Sequence, residues 1–305
     1  MPDPSSLVLV ITAPEKAPCL NATLTDTITR IIAKDAIIES RWLSTGEAWE
    51  LRLVTQADGG QRLKQQASTV LIGLPVDVNI LPDDGAPRRK KLLIADMDST
   101  IIEQECIDEI ADFAGVRDKV SAVTESAMRG ELDFAEALKS RVALLAGLEV
   151  GLLDEIIGSR ISIMPGARAL VATMKAHGAH TALVSGGFTY FTDRIANSVG
   201  FDISQANQLC VSDGRLLGTV KQPILGRQAK LEALKSEAKL HGIPLSQTLA
   251  VGDGANDLAM IRKAGLGVAY RAKPIVAGEA KAAIKHGNLK ALLYLQGYTR
   301  DELVE

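Results

Sequence analysis

Leu92-Leu93-Ile94-Ala95-Asp96-Met97-Asp98-Ser99-Thr100 sets the reading of the whole chain. Four apolar residues stop abruptly at two carboxylates spaced by one residue, and two hydroxyls follow. An apolar run of this length reads as a strand buried on both faces of a parallel sheet. Open α/β sheets bind their ligands at the carboxyl ends of such strands. Two acids there can hold a cation, or divide the work of nucleophile and proton carrier. The same pair also suits a turn that caps a helix, and the stretch alone leaves both readings open.

Two later strands end in the same manner. Thr181 to Val184 runs into Ser185-Gly186-Gly187, and Thr248 to Val251 into Gly252-Asp253-Gly254-Ala255-Asn256-Asp257. Helical patterns over Ala167 to Ala176, up to Ser198, and over Arg227 to Leu240 separate them, and a short strand follows at Leu266 to Ala269. Strands alternating with helices predict a doubly wound parallel sheet. In such a sheet Asp96/Asp98, Ser185/Gly186/Gly187 and Asp253/Asn256/Asp257 share one edge. An oxygen-only, carboxylate-rich cluster suits Mg²⁺, which usually accompanies a phosphate. The Ser-Gly-Gly turn at a helix start favours an anion. No GxxxxGK[ST] string occurs, so a nucleotide site of the P-loop kind is not supported. Leu209 to Val220 reads as a hairpin turning at Ser212-Asp213-Gly214-Arg215, with Asn207 and Asp213 as hairpin residues.

Residues from about 103 to 163 carry three apolar helical stripes and no strand: Ile107/Ile110/Ala114, Phe134/Leu138/Val142/Leu145, and Leu152/Leu153/Ile156/Ile157. They predict a helical lid inserted after the first strand. Arg141 lies between Leu138 and Leu145 on that apolar stripe, where a cation is costly unless paired. Residues 1–83 have a separate rhythm: a strand at Leu7 to Thr12, a helix at Leu20 to Ala33, strands at Ala36 to Leu43 and Trp49 to Val54, a helix at Gln61 to Leu71, and a strand at Val76 to Leu81. The order βαββαβ is the ferredoxin-like split motif. Residues 84–90 form a turn-rich linker, and Arg88-Arg89-Lys90-Lys91 reads as a solvated charge run.

A chain of 305 residues has room for about two domains with cores of their own. Its net charge of -3 argues against a nucleic-acid partner. No apolar run approaches the roughly 20 residues that span a bilayer, so no membrane partner is expected. The start, MPDPSS, lacks a charged region before an apolar core and does not read as a signal peptide. Three scattered cysteines form no CxxC pair, which points to a reducing cytoplasm. The four histidines, His177, His180, His241 and His286, read as surface residues outside any cluster.

Asp96-Met97-Asp98-Ser99-Thr100 resembles motif I, DxDx[TV], of the haloacid dehalogenase superfamily. Val184-Ser185-Gly186-Gly187 is similar to its motif II, Lys230 stands where motif III places a lysine, and Gly252 to Asp257 matches motif IV. The four occur in order over about residues 91 to 290. More narrowly, Glu105-Cys106-Ile107-Asp108-Glu109, Arg141-Val142 and the GDGAND string resemble the phosphoserine phosphatase subfamily. Residues 1–83 are similar in pattern to the small ACT domain, but the first strand-helix turn lacks the glycine of its ligand-binding members. A structural or dimerising role, with a homodimer through this domain, is therefore expected rather than effector binding.

The resemblance implies a Rossmann-like catalytic domain over residues 91–305 with a helical cap. It implies Asp96 as nucleophile, Asp98 as proton carrier, and Ser185, the Gly186 amide, Asn256 and Lys230 around the phosphoryl group. Mg²⁺ would be held by Asp96, the Asp98 backbone carbonyl and Asp253, with Asp257 supporting that shell. Glu105 would bind the ammonium and Arg141 the carboxylate of phosphoserine, and Phe134 would close over it. The implied reaction is hydrolysis of O-phospho-L-serine in cytoplasmic serine biosynthesis. Its rivals are a phosphotransferase that passes the phosphoryl group to an acceptor such as homoserine, and an amino-acid sensor with a vestigial phosphatase domain.

Overall fold

The computed structural model describes residues 5–32, 36–55, 59–129 and 131–305. Leu92–Ala95 forms the strand expected of it, with all four side chains fully buried. The chain reaches it through β1 (Ser5–Thr12), α1 (Ala22–Ile32), β2 (Ala36–Ser44), β3 (Ala48–Thr55), α2 (Gly59–Val70) and β4 (Asp77–Pro82), which makes Leu92–Ala95 β5. The first four strands build an antiparallel sheet in the order β2-β3-β1-β4. That is the split βαββαβ pattern read from the sequence. The predicted helix end at Ala33, and the Met1–Pro4 part of the leader reading, lie outside the described residues.

After β5 come four helices: α3 (Cys106–Phe113), α4 (Arg117–Met128), α5 (Phe134–Ala143) and α6 (Gly151–Arg160). The apolar stripes foretold three of them. Among its described side chains α4 buries only Val120, so periodicity had little to register. A backbone bridge between Ile102 and Ile163 closes the neck of the insert. The chain then alternates through α7 (Ala167–Ala176), β6 (His180–Phe188), α8 (Thr189–Val199), β7 (Ile203–Asn207), the hairpin β8 (Leu209–Ser212) and β9 (Arg215–Val220), and α9 (Arg227–Leu240). It finishes with β10 (Thr248–Gly252), α10 (Leu258–Lys263), β11 (Leu266–Tyr270), α11 (Pro274–Glu279), β12 (Ala282–Ile284) and α12 (Ala291–Leu295).

The large sheet is parallel throughout, in the order β12-β11-β10-β5-β6-β7. Its residues alternate between two cores. Leu92, Ile94, Ala182, Val184 and Ala250 pack with α9, α10 and Val276 of α11. Leu93, Ala95, Leu183 and Val251 face α7, α8 and α12. The sheet is therefore doubly wound. Register places Ala95 beside both Leu183 and Val251, so the residues that follow each of these three strands come together.

Several sequence expectations are corrected here. Asn207 ends the edge strand β7 and is not a hairpin residue; its buried amide accepts from Leu225 N (2.7 Å) and donates to the carbonyl of Gly186 (2.9 Å). Of the run Arg88 to Lys91, Lys91 is exposed as expected, but Arg88 and Arg89 are not free in solvent. Arg88 pairs with the fully buried Glu50 at 2.8 Å and donates to the Leu295 carbonyl, while Arg89 pairs with Glu302 at 2.7 Å over the Tyr298 ring. Their partners are remote in sequence, so the charge run looked free. Two of the four histidines do come together: His180 opens β6 and stacks on His241, with ring centroids 3.9 Å apart.

The small sheet is docked firmly onto the large one. Val8, Val10 and Leu81 join the core that contains α12, while Leu9, Ile11 and Leu51 face α1 and α2. At the edge strand β12, the Asn79 side-chain amide donates to the Ala283 carbonyl (3.1 Å) and accepts from the Ala283 N–H (2.9 Å). The Asp77 carboxylate accepts from the backbone N–H groups of Lys285, His286 and Gly287 at 2.8 to 3.2 Å. Replacing Asp77 by Ala strands these donors, at a cost of about 2–4 kcal/mol. The Asp77→Ala protein should therefore unfold at lower urea concentration, and an unchanged midpoint would show that these bonds do not hold the sheets together.

Candidate active site

The polar ends of β5, β6 and β10 meet at the carboxyl edge of the large sheet. Asp96 is 4% exposed; its Oδ1 accepts from the Met97 N–H (2.8 Å) and sits 2.6 Å from Lys230 Nζ. Lys230 belongs to the first turn of α9, where the apolar face of the helix seats it 2% exposed. Its second partner is Asp257 Oδ1 at 2.7 Å. The other oxygen of Asp257 accepts from Gly254 N (3.0 Å), so both are engaged. Gly252 is required here: a Cβ at that position would lie 2.3 Å from Asp257 Cγ.

Asp98 takes a different environment one residue pair further on. Its Oδ1 accepts from the Cys106 N–H (2.9 Å) at the start of α3, and its Oδ2 accepts from Ser185 Oγ (3.1 Å). Ser185 Oγ accepts in turn from the Gly187 N–H at 2.8 Å. These two bonds fix the orientation of the Asp98 carboxylate. Ser99 adopts a left-handed backbone (φ 56°), which costs energy for a residue with a Cβ, and from it donates to Glu105 at 2.7 Å.

Of the four carboxylates gathered here, Asp96, Asp98, Asp253 and Asp257, two pair directly with the Lys230 ammonium, Asp96 and Asp257. Burial, and then the charge of Asp257, hold the Asp96 carboxyl well above its ordinary range. Burial and Asp257 push Asp253 up to about 6. Burial opposes the charge of Lys230, but Asp96 and Asp257 outweigh it and keep the ammonium above the usual lysine range. The site is thus short of positive charge. Single oxygens of Asp96, Asp253 and Asp257 lie within 4.8 Å of one another, and an all-oxygen set of this kind fits a hard divalent cation. Each oxygen of Asp257 already accepts one bond, from Lys230 and from Gly254, and of the three only Asp96 and Asp253 line the cleft where such an ion would sit.

A cleft of about 690 Å³ opens above these groups, between the sheet edge and the helical insert. It brings together Asp96, Asp98, Glu105, Phe134, Arg141, Gly186, Asp253 and Asn256. Ser185 and Lys230 reach the site from beneath, through Asp98 and Asp96 respectively. Arg141 is half-buried, with only the Ala137 carbonyl as hydrogen-bond partner and no carboxylate within 4.0 Å among the described residues. Burial lowers its pKa against the pull of Asp108, Glu105 and Asp98. Glu105 keeps an open surface in the cleft mouth; crowding by the cleft walls, then Asp98, pushes it up to about 7, and solvent screening tempers that shift. Phe134 closes one wall, within contact of a Cβ placed at Gly186 (3.1 Å) or Gly226 (3.0 Å).

Residues that the sequence did not single out complete the cleft. Arg227, Lys273 and Ile275 line its mouth, and Thr100 reaches Asp253 at 3.4 Å. Arg227 opens the helix turn that carries Lys230, and Lys273 precedes Pro274 at the start of a helix; these neighbours are the signals that would have marked them. Among the described residues no helix is long and apolar enough to cross a membrane.

Residues 93–262 match the haloacid dehalogenase-like hydrolase family. The chain is 44% identical over 241 residues to a phosphoserine phosphatase of Streptomyces coelicolor, covering 79% of this chain and 58% of that one. It is 47% identical over 223 residues to a phosphoserine phosphatase of a Polaromonas species, covering 72% and 94%. Among solved structures, a probable phosphoserine phosphatase from Vibrio cholerae superposes with a TM-score of 0.78 at 32% identity, covering 98% of this chain and 88% of that one. The chain thus spans little more than half of the Streptomyces relative and nearly all of the Polaromonas one. With the acids of the first and last strand ends joined by Lys230, and these matches over the same residues, the chain belongs to the haloacid dehalogenase-like hydrolase family.

Proposed function

We propose that this protein hydrolyses O-phospho-L-serine to serine and inorganic phosphate. The observation that carries this reading is the unpaired Arg141 guanidinium in the same cleft as Glu105 and the Asp96/Asp98 pair. A small zwitterion satisfies both: its carboxylate meets the planar fork of Arg141, and its ammonium relieves the crowded Glu105. The names of the relatives agree with this substrate.

In this mechanism an Asp96 carboxylate oxygen attacks phosphorus, forming the Oδ–P bond as the bond from phosphorus to the serine oxygen breaks. Asp98 donates the proton that the serine oxygen needs to leave. It then takes a proton from the water that attacks the aspartyl phosphate, so inorganic phosphate departs and the Asp96 carboxylate is restored. Splitting one displacement into two in this way is the advantage of a carboxylate nucleophile. The Ser185 hydroxyl, the Gly186 amide, Asn256 and Lys230 hold the phosphoryl oxygens as charge shifts among them. Phe134 covers the substrate and excludes water. Asp96, the Asp98 carbonyl and Asp253 would hold Mg²⁺, with Asp257 bracing them through Lys230. When bound, the ion neutralises the repulsion between nucleophile and phosphate.

Residues 91–305 carry this activity in the proposal, and residues 1–83 are a structural unit whose inner sheet face is already covered by α12. The outer edge of β2 is where a second copy would pair to make a homodimer. Cys19, Cys106 and Cys210 are all free, which suits a reducing cytoplasm.

Asp96→Asn should abolish phosphate release while the far-UV circular dichroism is unchanged, and Asp98→Asn should lower kcat by roughly 10²–10⁴-fold. Full turnover in the Asp96 variant would end the assignment. Steady-state assays with phosphoserine, phosphothreonine and an aryl phosphate, with Mg²⁺ and with chelator, test the substrate. Phosphoserine should be preferred, and activity should vanish with chelator and return with Mg²⁺. Glu105→Gln and Arg141→Met should each raise KM for phosphoserine by roughly 10–100-fold, the worth of a charge-assisted contact, and leave the aryl phosphate little affected. A preference for the aryl phosphate in the unaltered protein would remove Glu105 and Arg141 from substrate recognition.

A further inference from the structure

At the opposite, amino edge of the large sheet three metal-ligating side chains converge that the proposed reaction does not use. His180 opens β6, and Glu237 and His241 lie one turn apart at the end of α9. Glu237 Oε2 is 3.4 Å from His180 Nε2 and 3.7 Å from His241 Nε2, and the three ligand atoms all lie within 4.8 Å of one another. We infer that His180, Glu237 and His241 form a binding site for a divalent transition metal of the Zn²⁺ kind.

Bond lengths support this first. Zn–N and Zn–O distances of about 2.0–2.2 Å in a tetrahedron place neighbouring ligand atoms roughly 3.3–3.6 Å apart. The two distances to Glu237 lie at or near that edge, the His180 and His241 nitrogens lie within 4.8 Å of each other, and the exposed His241 ring is the one free to turn to complete the tetrahedron.

Hydrogen bonding supports it next. His180 Nε2 is buried and has no hydrogen-bond partner among the described residues, although Glu237 is near. A buried polar atom without a partner is costly unless something else satisfies it. The other ring nitrogen of His180, Nδ1, lies 3.4 Å from Asp202 Oδ2. Asp202 is itself anchored by the Thr181 N–H and hydroxyl (2.9 Å each) and by Lys175 (2.7 Å). A carboxylate behind the distal nitrogen is the usual partner of a metal-binding histidine, because it fixes the tautomer that leaves the other nitrogen bare.

Charge is the third support. Two imidazoles and one carboxylate make a mixed N/O set that suits Zn²⁺ better than Mg²⁺, which prefers oxygen alone. The open side of His241 leaves room for water as fourth ligand. An ion here would pin the far end of α9 to the sheet, two turns along the helix that seats Lys230.

The test uses the full-length protein saturated with Mg²⁺, so that the carboxyl-edge site does not compete. Equilibrium dialysis against Zn²⁺ should load one equivalent. Co²⁺ in its place should give the visible absorption of a four-coordinate site. His241→Ala and Glu237→Gln should each weaken uptake at least about tenfold, since even the outer partners of metal ligands are worth ~10–100-fold. His241→Ala should leave phosphate release with Mg²⁺ unchanged, which also reports that it folds. Asp253→Asn should keep the Co²⁺ spectrum. No uptake, uptake indifferent to both substitutions, or a spectrum lost in Asp253→Asn would each overturn the proposal; the first two would leave an ion-paired histidine stack, and the third would put the ion at the carboxyl edge.

Discussion

The ammonium of Lys230, buried between Asp96 and Asp257, is the contact on which the carboxyl edge of the large sheet depends. It ties the first strand of the large sheet to the loop after β10, and it does so from a helix that belongs to neither. Pairs of this kind seldom add net stability, because removing each charge from water costs about what the attraction returns. Their value lies in placement. With both oxygens of Asp257 engaged and Asp96 held by the same nitrogen, the two carboxylates are oriented by one shared partner. The excess of negative charge left over suits the edge to a hard cation, as its all-oxygen donor set does.

The two aspartates of the opening motif show how the fold makes unlike groups from like residues. Asp96 continues the line of a buried strand and meets a lysine. Asp98, two residues later, has left the strand and meets the start of α3 and a serine hydroxyl. One residue intervenes, Met97, fully buried beneath them. A shift of register by one residue would exchange core and cleft at all three positions.

Much of this was legible in the sequence because it was local. An unbroken apolar run ending in acids marks a central strand and its functional end together, and the repeat of that pattern at Ser185 and Asp253 locates the sheet edge. What escaped was short or remote. β12 is only Ala-Ala-Ile, too brief and too small in side chains to stand out. α4 is largely polar. Asn207 looks like a loop residue until its amide is seen joining the Gly186 and Leu225 backbones. His180 and His241 are 61 positions apart, and Arg88 lies 207 positions from Leu295. Pairing over such distances is a property of the folded topology and leaves no local spacing to read.

The side chains of Asn79 and Asp77 have a bearing on how the molecule stays dispersed. β12 is the last strand of the large sheet, and its outer row of backbone groups would otherwise be an open template for another chain. Asn79 occupies that row at Ala283 with an amide that imitates one more strand residue, and Asp77 closes the amides just beyond it. The small sheet therefore acts as a sheath for a vulnerable edge. A chain cut at the linker would lose that cover along with the core contacts of Val8, Val10 and Leu81, and would gain a bare strand through which copies could stack.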